Sequence, residues 1–344
     1  MSRSLNKSIL VRLQAEDAGA VYNDVSRILT ELPANNDLLE IEVFGEDHPL
    51  EPGVNFLQDG VAVAIPKLRI VQAFFVARRI LHEYLVGGSR SVNDQVTRAT
   101  STLLLMDPEH LTASNVRKRA VLSRLKDQRS DPSLMLQGEM QFVDSLLTSH
   151  LHRHTKSPTL WGHRRWLLQE FVAHGIPIDQ RKDMTKIVMV AAERHPRNYY
   201  AWDHARWLFR DLARWDISPE LVATVADDVK RWCFKHPSDT SGWSFLMSLI
   251  ERIPGEELRQ STKEAILSEA LEFTDSFRWT NESVWVFLRT SVAKNYNSQR
   301  DIESFTTIND KLTSLAEAET YSRKTLGTAR NWFEKYRLEK PYLP

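Results

Sequence analysis

Cysteine is almost missing from this chain of 344 residues. Cys233 stands alone, which excludes an internal disulfide framework and a zinc site built from several thiolates, and fits a reducing compartment. Long apolar runs are missing as well. No stretch approaches 18 uninterrupted apolar residues, and the opening MSRSLNKSILVRLQ carries no apolar segment of the secretory type, so a soluble cytoplasmic protein without membrane insertion is expected. Neither sign of charge dominates. The 45 basic residues offset 45 acidic ones, so no global field draws the chain to nucleic acid or to an anionic membrane. No glycine-rich loop offers a phosphate cradle, and no group of Cys, Asp and His has the spacing of a zinc site.

Tryptophan, in contrast, is plentiful and periodic. KSPTLWGHRRWLL, RNYYAWDHARWLF, PSDTSGWSFLMSL and NESVWVFLRTSV align without gaps and place Trp161, Trp202, Trp243 and Trp285 at intervals of 41, 41 and 42 residues. Such a period marks a repeat architecture, in which one repeat cannot bury its own apolar face and must stack on the next. A degenerate earlier copy, DPEHLTASNVRKRAVL, has Ser114 in the tryptophan position. The pattern predicts an all-α protein, an α-α superhelix of about five helix-pair repeats between residues 95 and 300.

Tryptophan-bearing helices are expected at 158–174, 197–214, 239–253 and 281–296, and second helices at 180–194, 219–235 and 256–277. Ser218, Pro219 and Glu220 supply a cap, a proline at the first helical position and an acid in the first turn, while His195-Pro196 and His236-Pro237 end the second helices. Trp161 and Trp166 lie five residues apart, as do Trp202 and Trp207, and so cover two sides of a helix. With Trp243 and Trp285 they are assigned to packing at repeat junctions.

Residues 1–90 read differently. Helical spacing over 8–32 (Ile9, Leu10, Leu13, Val21, Val25, Ile28, Leu29) gives way to alternation and turn residues over 38–66, a loop or small hairpin, before a helix from Lys67 that stops at Gly87-Gly88. We therefore expect an N-terminal extension over 1–90 and a repeat domain over 91–344.

The motifs around Lys156, Trp161, His163, Arg164, Arg165 and Trp166, and around Asn198, Tyr199, Trp202, His204 and Trp207, resemble the protein prenyltransferase α-subunit repeat. Asn115-Val116-Arg117-Lys118 resembles the opening repeat of the prenyltransferase α-subunit repeat-containing protein 1 subfamily more than that of the farnesyltransferase α subunit. The resemblance implies the α-type subunit of a heterodimeric protein prenyltransferase, with geranylgeranyl transfer to a C-terminal cysteine of a protein substrate. It implies that this chain binds no cofactor. Zinc and the prenyl diphosphate would sit on a β subunit of the Rab geranylgeranyltransferase type.

In that family a lysine five residues before a repeat tryptophan faces the diphosphate, where negative charge grows as the carbon–oxygen bond breaks. Lys156 matches this position, and Tyr199 and Tyr200 fill the facing repeat start. Ser157-Pro158 departs from the family's Asn-Tyr. His163 and His204 are read as hydrogen-bonding to neighbouring repeats, and Arg164 and Asn198 as structural polar groups.

Other readings were weighed. His150, His152 and His154 have no adjacent carboxylate to complete a metal site. Arg153, Arg164, Arg165, Arg194, Arg197, Arg206, Arg210 and Arg214 make the centre locally basic, and are read as pairing with acids of adjacent helices, with a surface for an acidic partner or diphosphate as the other reading. A non-catalytic helical-repeat scaffold is the alternative function. An RNA-processing repeat protein would need aromatics interleaved with an extended basic stripe.

Overall fold

The computed structural model describes residues 17–31, 33, 37–45, 50–51, 53–88, 92–126, 131–212, 217–293 and 299–337. In chain order the elements are α1 (Ala18–Ile28), β1 (Glu40–Phe44), β2 (Leu57–Asp59), β3 (Ala62–Pro66), α2 (Lys67–Val86), α3 (Asp94–Met106), α4 (Leu111–Leu125), α5 (Pro132–Leu147), the single turn α6 (His152–Thr155) and α7 (Pro158–Ala173). There follow α8 (Gln180–Lys182), a π-helical segment (Asp183–Val188), α9 (Met189–Arg194), α10 (Tyr199–Arg210), α11 (Pro219–Lys235), α12 (Thr240–Ile250), α13 (Glu256–Phe277), α14 (Glu282–Ala293), α15 (Gln299–Leu315) and α16 (Tyr321–Tyr336). The fold is an all-α helical repeat with one small sheet. No helix among the described residues is long and apolar enough to cross a membrane.

The chain forms two compact units, Met1–Asp179 with Val190–His195, and Gln180–Met189 with Pro196–Pro344. In the first, α1, α2 and α3 pack on one another, α3 on α4, and α5 on α7. Residue 90, where the composition changes, lies outside the described residues, as do Ile9, Leu10 and Leu13. The segment expected as a loop or small hairpin is a three-stranded sheet of order β1-β3-β2. Its β2–β3 half is antiparallel, but β1 runs parallel to β3 with Glu40 opposite Ala62 and Phe44 opposite Pro66. Ile41, Val63 and Ile65 are buried, and the His150 amide donates to the Ile41 carbonyl at 3.1 Å, tying β1 to the turn before α6.

In the second unit α10 packs on α12, α12 on α14 and α14 on α16, while α11 packs on α13 and α13 on α15. The stack therefore extends past residue 300, where the tryptophan pattern ends. Leu326, 41 residues after Trp285, is fully buried in the last helix of the row. The apolar face survived there although the aromatic marker did not.

Local sequence explains the helix starts. Ser157, Asn198, Asp239 and Ser218 each accept a backbone N–H in the first turn, from Leu160, Ala201, Gly242 and Leu221 respectively. The caps also join repeats: the Ser157 hydroxyl donates to the Pro108 carbonyl at 3.1 Å, and Asp239 accepts the Arg197 amide at 2.7 Å. That contact holds Arg197 in the left-handed region, at φ 59°. The second helix expected at 180–194 is interrupted by the π-helical segment, where the Met189 amide reaches back to Met184. Met184, Ile187 and Val188 are buried along it.

Candidate functional site

Trp161, Trp202, Trp243 and Trp285 are all buried at equivalent places, as are the residues one before them, Leu160, Ala201, Gly242 and Val284. Gly242 permits the tightest approach, since a Cβ there would meet the Trp232 ring at 2.7 Å and the Trp202 ring at 3.2 Å. Trp166 and Trp207, the second members of their pairs, remain half-buried. They lie against His163 and His204, with ring centroids 5.6 and 5.5 Å apart.

The position three beyond the tryptophan changes character along the chain. In the first unit it holds charge: Arg117 grips Glu139 with two bonds of 2.7 Å, and Arg164 donates to Asp144 at 2.7 Å. In the second it is apolar, with Ala205, Leu246 and Leu288, all buried. His163 bridges the first-unit repeats, its Nδ1 lying 3.2 Å from the Ser114 hydroxyl and its Nε2 3.4 Å from Glu139. Burial pushes the His163 imidazole down to about 4, against the pull of Glu139, so it is neutral at pH 7. Burial alone would raise Glu139, but the Arg117 charge and then His163 outweigh it and hold the carboxyl low. These groups are sealed and structural.

Lys156, like His152 and Arg153 before it, is exposed. It closes α6, its backbone amide donating to the His154 carbonyl, and precedes the buried cap Ser157 and Pro158 at the first helical position of α7. The two residues that depart from the family pattern are thus occupied in starting a helix. They offer no phenol beside the lysine.

The neighbouring basic groups divide into two sets. Arg153 is bonded to Asp107 at 2.9 Å, Arg194 faces Glu40 at 3.5 Å, and His150 faces Glu42 at 3.6 Å. His154 is buried, its Nε2 2.9 Å from the Leu105 carbonyl, and burial lowers it to about 4. Lys156, His152 and His195 have no acidic partner among the described residues. The His152 and His195 rings meet edge to face, centroids 5.7 Å apart. Burial, then the positive charges of Lys156 and His152, push His195 below its ordinary value. The sequence marked His195 only as part of a helix stop; its contact with His152 closes across 43 residues and left no local signal.

Tyr199 and Tyr200 belong to the second unit, as the first residues of α10 behind the buried cap Asn198. They are 61% and 39% exposed, their rings edge to face at 5.7 Å. His204 is buried one turn further on. Of the basic cluster, Arg210 pairs with Asp211, Arg206 donates to Ser244, and Arg214 lies outside the described residues. Among the described residues no group of three or more His, Cys, Asp or Glu could hold a metal ion. Cys233 is buried, and burial, then Asp239, raises its thiol well above the ordinary range.

Fold and junction chemistry together define a tryptophan-stapled α-helical repeat protein. The protein prenyltransferase alpha subunit repeat family matches residues 136–171, which span most of α5, α6, Lys156 and most of α7. The ECM9 middle domain family matches residues 160–264. The chain is similar to human protein prenyltransferase alpha subunit repeat-containing protein 1, with 31% identity over 186 residues, 49% of this chain and 43% of the human one. It is also similar to the Danio rerio protein of that name, with 37% identity over 81 residues, 24% of this chain and 16% of the fish one. The matched length is thus less than half of these relatives. The resemblance read from the two central tryptophan motifs is to this family of repeats.

Proposed function

We propose that this chain acts as the α-type subunit of a heterodimeric protein prenyltransferase, in the cytoplasm, with geranylgeranyl transfer to a C-terminal cysteine as its reaction. Zinc and the lipid would be held by a β subunit of the Rab geranylgeranyltransferase type, as the family resemblance implies. Zinc bound there would favour the thiolate of the substrate cysteine. The observation that carries the reading is Lys156, an exposed ammonium without an acidic partner among the described residues, at the repeat position where the resemblance implies a diphosphate-facing lysine. Such a charge would stabilise the departing diphosphate.

The test is single-turnover transfer of a labelled prenyl group by the reconstituted pair. Lys156→Ala should lower the rate by about 10² to 10³, as loss of one transition-state charge contact does, with stability and β-subunit binding nearly unchanged. Lys156→Arg should recover part of it. A second reading, a non-catalytic helical-repeat scaffold, is favoured by the use of Ser157 and Pro158 as helix starters where the family pattern has Asn-Tyr. Absence of transfer with a β subunit would decide for the scaffold, whereas equal transfer rates for wild type and Lys156→Ala would make the lysine a surface residue and the chain a structural subunit that shapes the site.

A further inference from the structure

His152 opens α6 and Lys156, four residues on, caps its end; the His195 ring meets His152 at 5.7 Å and feels the charge of Lys156. All three belong to the first compact unit. Four basic groups close by in the chain are already engaged: Arg153 by Asp107, Arg194 by Glu40, His150 by Glu42, and His154 by backbone carbonyls in a buried site. His152, Lys156 and His195, in contrast, have no acidic partner among the described residues. Two imidazoles and an ammonium at such spacing repel one another once charged. A bound anion would remove that repulsion and accept three charge-assisted hydrogen bonds.

We infer that His152, Lys156 and His195 together form an oxyanion-binding site for a diphosphate group. The inference rests on the reading of Lys156 above for the identity of the anion, and adds the histidines as binding residues. A cation is disfavoured, because Lys156 would stand beside it. Recognition here is of the diphosphate, whether free or carried by a prenyl chain. Burial, and then the charges of Lys156 and His152, hold His195 below its ordinary value, so the site gains charge there as the pH falls.

The test titrates the full chain, without a β subunit, with inorganic pyrophosphate and separately with geranyl diphosphate, by calorimetry at pH 8.0 and 6.0. Binding should tighten at the lower pH by about five-fold or more. Because the anion also titrates, the decisive comparison is with His152→Gln/His195→Gln, which should keep its fold, bind weakly at both pH values and lose most of that gain. His195→Lys should bind at pH 8.0 with a flatter profile, since its charge is fixed. Equal affinity for both ligands would place recognition in the diphosphate alone, and tighter geranyl diphosphate would add tail contacts to the same site; either supports the inference. Absence of binding, or a pH profile unchanged in the double glutamine variant, would overturn it. Binding by a chain that supports no transfer with any β subunit would keep the anion site and remove the prenyltransferase reading. Transfer that depends on Lys156 but not on the two histidines would do the reverse.

Discussion

Arg164 shows how much a single junction residue decides. It is almost wholly buried and its guanidinium is held by Asp144, a geometry in which removing one partner strands the other charge. Arg164→Leu should therefore cost about 3–5 kcal/mol in denaturant unfolding, whereas Arg164→Leu with Asp144→Leu should recover much of that loss. The second unit makes the apolar choice naturally, with Leu246 and Leu288 in the equivalent place. A single variant as stable as the wild type would show that the pair is not a junction contact. The buried histidines add a pH dependence. His154 and His163 are lowered from 6.5 to about 4 in the folded chain, so the unfolded chain takes up protons first as the pH falls. Their contribution is complete above about pH 6.5 and is lost toward pH 4. Thermal melts between pH 7.5 and 4.5 should fall in that window, and less steeply in His154→Gln/His163→Gln; a flat melting temperature would contradict the neutral assignment.

At the scale of the element, the second unit is a row of helices joined by aromatic rings. Trp202 meets Trp232 at 5.0 Å, Trp243 meets Phe287 at 5.1 Å, Trp285 meets Phe305 at 5.5 Å and Phe305 meets Phe333 at 5.1 Å. Gly242 lets α12 approach α11, so Gly242→Ala should overpack that contact and cost about 1–3 kcal/mol, despite the better helix propensity of alanine. Trp202→Ala should cost about 3–5 kcal/mol. Hydrogen exchange would separate the two effects from global unfolding: protection should fall first in α10, α11 and α12, and a change spread evenly over the chain would count against repeat-by-repeat packing. The row ends in α16 because Leu326, Ala329 and Phe333 cover α14 and α15, whose apolar faces would otherwise meet water.

For the whole molecule the test is association. Obligate interfaces bury more than about 2,000 Å², and the proposed heterodimer should be a stable one-to-one complex of that class. Exposed Tyr199, Tyr200, Phe277 and Tyr321 are the kind of aromatic surface such a partner covers. Co-expression with a Rab geranylgeranyltransferase-type β subunit and sizing by light scattering would measure it. A monodisperse, high-melting monomer that captures no β subunit would remove the heterodimer.

Much of this was written locally. The 41-residue spacing determined the repeat class, because a buried tryptophan is large enough to leave its mark at every copy where it survives, and the Ser218-Pro219-Glu220 start of α11 was readable because caps act within one turn. Where the marker was replaced, at Leu326, the sequence lost the repeat although the burial pattern continued. The parallel pairing of β1 with β3, the π-helical interruption at Asp183–Val188 and the meeting of His152 with His195 were decided only by tertiary structure. Each depends on contacts between residues far apart in the chain or on a register shift that keeps a buried face aligned, and neither leaves a periodic trace in the order of amino acids.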